Sequence, residues 1–155
     1  MGHDDAAKAQ FRQATIGPDE VKGAMFYNDQ PAEMILYQGL AHAALGEHGP
    51  ANARFYRLLD FGEQHLNDQA AIEYFAVSLP DFVIYDKDYT RMNHIHCLYV
   101  MALANIGLGK AQKASDLLAK AMSEDPSHIQ VNLFSDELSH RHILMNSSAA
   151  TKATA

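Results

Sequence analysis

ILYQGLAHAALGEHGPANARFYRL (residues 35–58) and LYVMALANIGLGKAQKASDLLAKA (98–121) share one internal spacing. In the first, Ile35, Gly39 and Gly46 are followed by Ala51, Phe55 and Leu58. In the second, Leu98, Ala102 and Gly109 are followed by Ala114, Leu118 and Ala121. The intervals are four, seven, five, four and three in both. Steps of three and four mark one face of a helix. Each stretch therefore predicts a helix, a tight turn at Gly46 or Gly109, and a second helix. Glycine at the turn adopts a positive φ and caps the first helix. Gly39 and Ala102 are small, so the second helix can approach closely there, and Phe55 and Leu118 are the larger knobs. The opening of the chain holds a half copy, with Gly2, Ala7, Phe11 and Ala14 spaced by five, four and three.

Small residues at a helix crossing, a glycine turn and a closing proline (Pro126) resemble the tetratricopeptide (TPR) repeat. The resemblance implies an all-α fold, an α-solenoid of helical hairpins. The chain departs from that pattern in four ways. It has no tryptophan, and His42 and Asn105 stand where a tyrosine is common. Only the last copy has the proline. The two full copies start 63 residues apart (Ile35 to Leu98) rather than about 34. A long inserted helix-loop segment between the two complete repeats accounts for the last difference. The stretches VKGAMFYNDQPAEMILYQGLAHAALGE, IEYFAVSLPDFVIYDKD and NHIHCLYVMALANIGLGKAQKA resemble the C-terminal TPR region of certain large bacterial proteins. In those, an N-terminal β-rich domain of uncharacterised function, with an expected carbohydrate connection, precedes the repeats. On this resemblance the half copy at 2–14 lacks a partner because the upstream part is missing.

The expected layout is one helical domain over 1–146 and a flexible tail over 147–155. The domain comprises the half repeat 2–14, a repeat at 31–65, an insert at 66–90, a repeat at 91–125 and a terminal helix at 127–144. Within it, helices are expected at about 31–45, 50–65, 69–78, 91–108 and 111–123, with 19–28 short or irregular. Asn28 or Asp29 is the expected cap of the first of these, with Pro31 in its first turn. Ile129, Leu133, Phe134 and Leu138 are expected to face inward.

Twelve basic against nineteen acidic residues leave a formal charge of −7, with no basic cluster. Nucleic acid and an anionic membrane surface are therefore poor partners. The single cysteine, Cys97, has no internal disulfide partner. No signal-peptide pattern or long apolar run appears, and the expected location is the cytoplasm.

Candidate chemistry is sparse. His94 and His96, like His140 and His142, stand two residues apart, about 200° on a helix, so neither pair grips one ion. No metal, cofactor or catalytic residue is expected. Cys97 reads as a buried structural thiol, and Glu73, Asp81, Asp86 and Asp88 as solvated loop charges. The aromatic insert residues Tyr74, Phe75, Phe82, Tyr85 and Tyr89 are expected to fold back onto the repeats. The helices at 31–45 and 91–108 are apolar beyond their crossing faces, which leaves a second stripe for a concave groove. The chain's own 66–90 excursion, a second copy or a foreign segment are the candidates to cover it, and the excursion is expected to cover at most part. Its expected lining is Glu33, Tyr37, Leu40 and Ala44 from the first and His96, Tyr99, Val100 and Leu103 from the second. The stripe has little positive charge, which disfavours a clamp for a peptide carboxylate. TPR domains usually bind proteins. The leading expectation is therefore a non-catalytic interaction module for a protein or peptide segment, its own missing N-terminal domain, or a second copy in a homodimer. The alternative is an accessory segment of a carbohydrate-active multidomain enzyme whose catalytic part lies outside this chain.

Overall fold

The computed structural model describes residues 2–23, 29–69 and 88–152, with side chains over 4–23, 29–69 and 88–140. Those residues form six helices and no strand: α1 (Gly2–Ala14), α2 (Ala32–Ala44), α3 (His48–His65), α4 (Tyr89–Gly107), α5 (Ala111–Glu124) and α6 (Ile129–Lys152). Successive helices pack from α1 to α3 and from α3 through α6, and α2 also packs against α4. No helix among the described residues is long and apolar enough to cross a membrane.

Both expected turns form, and by the same bonds. Gly46 has φ 79° and Gly109 φ 71°. The Gly46 N–H donates to the Ala43 carbonyl (3.0 Å) and the Glu47 N–H to His42 (2.9 Å). The Gly109 N–H donates to Ile106 (3.1 Å) and the Lys110 N–H to Asn105 (2.8 Å). This is the paired closure of a Schellman motif, which satisfies carbonyls that a helix end leaves open. Every apolar repeat position of both full copies is buried: Ile35, Ala51, Phe55 and Leu58, then Leu98, Ala102, Leu118 and Ala121, with Ala114.

The closest approaches gather on α3. A Cβ added at Gly39 of α2, or at Gly107 of α4, would fall less than 3.0 Å from ring atoms of Phe55. The Phe55 ring thus lies between two glycines on two different helices. A Cβ at Gly62 would likewise meet Met101 and the Cys97 carbonyl of α4. Gly39 is the crossing residue that the spacing predicts. Gly62 and Gly107 make α3 approach the next helix, α4, just as closely.

Several expectations change. Gly2 lies inside α1 rather than at a turn, and Ala7, Phe11 and Ala14 are exposed, Phe11 at 40%. The residue before α2 is Pro31, with no side-chain cap; its fixed φ supports the helix start without a donor there. Asp88 is no loop charge, because its carboxylate accepts the Arg91 N–H (2.9 Å) and caps α4. On α6 the buried stripe is Val131 and Phe134, with Leu138 partly buried, whereas Ile129 (76% exposed) and Leu133 (61%) face outward. Positions 131, 134 and 138 follow the i, i+3, i+7 face, and at 100° per residue 129 and 133 fall on the far side of the helix. The helix α6 continues to Lys152, into the expected tail. No proline or glycine interrupts that stretch, and its alanines favour helix. The aromatic cluster from Tyr74 to Tyr85, with Glu73, Asp81 and Asp86 and most of the 66–90 insert, lies outside the described residues.

The glycine contacts set a test. Gly39→Ala and Gly107→Ala are each expected to cost about 1–3 kcal/mol, because the trapped ring cannot move away from both helices. Gly49, near the start of α3, has open space around its missing Cβ. Gly49→Ala is expected to be neutral or to stabilise by up to about 1 kcal/mol. Urea unfolding of the three variants measures the difference, and equal effects would refute the packing.

Candidate functional site

The expected groove divides in two. On α2, Tyr37 is 48% exposed and Leu40 38%, Ala44 is exposed and Glu33 half-buried. On α4, Tyr99, Val100 and Leu103 are buried and His96 half-buried. The three buried residues belong to the same core cluster as Val131 and Phe134 of α6, and the Tyr99 and Phe134 rings meet edge to face at 5.8 Å. A run from Cys97 to Asn105 is buried without a break. A helix apolar all round is covered all round, and here α6 is part of the cover. Tyr99, Val100 and Leu103 therefore do not line an open groove.

What stays open is a smaller pocket of about 80 Å³ between α2, the end of α4 and α6. Tyr37 and Leu40 line it, joined by Leu36, Ile106, Phe134 and Leu138, with Glu137 as its charged residue. Leu36, Ile106 and the α6 residues were not assigned to the groove from sequence. Phe134 and Leu138 were legible as apolar positions, but their arrival beside Tyr37 is a consequence of how α6 packs.

A polar cluster adjoins this pocket. Glu33, one turn before Tyr37, raises the pKa of the Tyr99 phenol, which burial raises more. The Tyr99 hydroxyl is buried without completing a hydrogen bond of good geometry. The His128 ring lies 5.9 Å from that of Tyr99. Glu33 has no ion-pair partner among the described residues.

The connector between α1 and α2 is held against α2, α3 and α4 by polar bonds. Pro18 offers its carbonyl to the side chains of Gln30 and Gln38, both at 2.9 Å. The buried Gln38 amide also accepts from Arg54 Nε (3.1 Å). Asp19 pairs with Arg54 (3.0 Å) and Arg57 (2.5 Å). The Lys22 carbonyl lies 2.9 Å from His96 Nε2, so a neutral imidazole with its proton on Nε2 donates to it. A broad cleft of about 630 Å³ lies between this connector and α3, lined by Val21, Tyr56, Arg57, Asp60 and Phe61 among others. Arg57 is held by Asp19 and His65 by Asp68 (2.6 Å), so two of the polar groups lining the cleft are already paired within the chain.

The histidines of the first pair point to different partners. His94 meets Glu124 (2.9 Å) and His96 meets Lys22. Among the described residues no three metal-ligating side chains come together. Burial pushes the Cys97 thiol up to about 11, so little of it is the nucleophilic thiolate at neutral pH. No family model matches the chain, and no solved structure matches it.

Burial lowers the His96 pKa below its ordinary value of 6.5, with His128 adding to the shift. The Lys22 carbonyl, Glu33 and Asp29 oppose it. The unfolded chain therefore binds the proton more readily than the folded one. Stability is expected to be full above about pH 6.5, to fall with acidification below it, and to level off below the folded-state pKa. His96→Gln keeps a donor for the Lys22 carbonyl and removes the titration. Urea midpoints from pH 8 to pH 5 should fall less steeply in this variant than in the parent chain.

Proposed function

We propose that this chain is a non-catalytic, TPR-like helical module that binds a protein or peptide segment in the groove between α2 and α6. The observation that carries this reading is the open apolar pocket at Tyr37 and Leu40, floored by Leu36, Ile106, Phe134 and Leu138. Half-exposed aromatic and aliphatic side chains beside a partly enclosed apolar floor are the ingredients of an interface anchor site. The stacked order of helices and the two matching Schellman turns support the solenoid reading. Alone, such an architecture does not define a function.

A pocket of about 80 Å³ is well below the roughly 300–1,000 Å³ of sites that enclose small molecules. It is suited to one anchoring side chain rather than to a free metabolite. The reading therefore places the binding energy in a few apolar contacts, with the area buried partly offset by the cost of association.

Two substitutions separate groove from core. Leu103→Glu buries an uncompensated charge and is expected to unfold the domain or cost several kcal/mol. Leu40→Glu, at a partly exposed position, is expected to stay folded, at a cost of about 1 kcal/mol. A photo-crosslinking side chain placed at Tyr37 should capture a polypeptide segment, and Leu40→Glu should abolish that capture. The same side chain at the equally exposed Tyr56 should not capture it. Equal capture from both positions would refute the site.

A further inference from the structure

We infer that the segment bound in this groove is cationic as well as apolar: a large aliphatic or aromatic side chain enters the pocket and a lysine or arginine beside it meets Glu33. This rests on the groove being the binding site, and it goes further by naming the partner's chemistry.

Glu33, Tyr37 and Leu40 follow one another at i, i+4 and i+7 on α2, so they share a stripe. A partner seated on Tyr37 and Leu40 must also draw water away from Glu33. That carboxylate is already half-buried and has no ion-pair partner among the described residues. The neutral Tyr99 phenol faces that carboxylate but supplies no charge, so covering it with apolar atoms alone is costly, and a cation in the partner removes most of that cost. Among the described residues no lysine or arginine lines the pocket, whose charged residue is Glu137; Glu137 also has a partner within the chain. Lys22, the basic residue of the neighbouring connector, is paired with Glu20 at 2.7 Å. The half-exposed ring of Tyr37 offers a π face to the same incoming cation. The formal charge of −7 favours the encounter at longer range.

A second copy of the chain fits less well. A two-fold interface sets the same patch against itself, which would bring the Glu33 stripes of two protomers together with no cation between them. An acidic peptide tail is disfavoured for the same reason.

The test uses the full chain and three labelled synthetic peptides of equal length. One carries leucines at helical i, i+4 and i+7 positions among lysines. The second keeps the leucines among glutamates. The third keeps the lysines and replaces the leucines with glutamine. Fluorescence anisotropy should show the Lys/Leu peptide binding at least about tenfold more tightly than either of the others. Leu40→Gln should weaken that binding. Glu33→Gln should reduce the preference for Lys/Leu over Glu/Leu, as should high salt. Circular dichroism establishes that both variants remain folded.

If the Glu/Leu peptide binds as well, or Glu33→Gln leaves the preference unchanged while Leu40→Gln still weakens binding, the cationic inference fails and the groove stands. If no peptide binds, if Leu40→Gln has no effect, or if the Lys/Gln peptide binds equally well, both fail. If light scattering finds a dimer that Leu40→Gln dissociates, the occupant is a second copy and the inference is overturned.

Discussion

The Phe55 ring, held between Gly39 and Gly107, is the contact on which the arrangement of the central helices depends. It belongs to the second helix of one hairpin and touches the first helix of the same hairpin and of the next. A single side chain thereby sets two interhelical distances. Close-packed interiors transmit such constraints, because no void is available to absorb a shift. Gly62, close against Met101 and the Cys97 backbone, holds a second point of the same α3–α4 interface. The two full copies solve the crossing with different partners in sequence: glycine with phenylalanine at 39 and 55, alanine with leucine at 102 and 118. The larger knob accompanies the smaller crossing residue, which conserves volume.

Once α3 and α4 are fixed, α4 becomes the axis of the molecule, with its residues buried from Cys97 to Asn105. This explains where the groove is. The stripe of Tyr99, Val100 and Leu103 belongs to the core that α6 completes with Val131 and Phe134. The open apolar surface is displaced to the seam where α6 faces α2, and Tyr37 and Leu40 remain in it because α2 lies at the far side of that seam. The groove is therefore made by elements distant in sequence.

The connector before α2 has the opposite character. It is held by polar bonds: Pro18 to Gln30 and Gln38, Asp19 to Arg54 and Arg57, and Lys22 to His96. Such bonds are individually modest in net worth but costly to leave unmade when buried. Gln38 is the central one, since its amide serves the connector on one side and Arg54 on the other. On α1, Ala7, Phe11 and Ala14 are exposed, an apolar face that the described residues do not cover.

The sequence by itself determined the hairpins. Glycine at 46 and 109 admits a positive φ, and spacings of three and four place the apolar side chains on one helix face, so turn positions and buried faces follow from local chemistry. Glu33, Tyr37 and Leu40 were legible as a surplus stripe for the same reason. Tertiary structure decided what covers each stripe. On α6, the sequence offers both Ile129 with Leu133 and Val131 with Phe134 as apolar pairs, and packing selects the second. On α4, a stripe that periodicity marks as available is buried, because α6 docks there with its Phe134 ring against Tyr99. Periodicity reports which residues of a helix seek cover. It holds no information on which helix, tens of residues away, will supply it, because that depends on the combined shape of the packed surfaces.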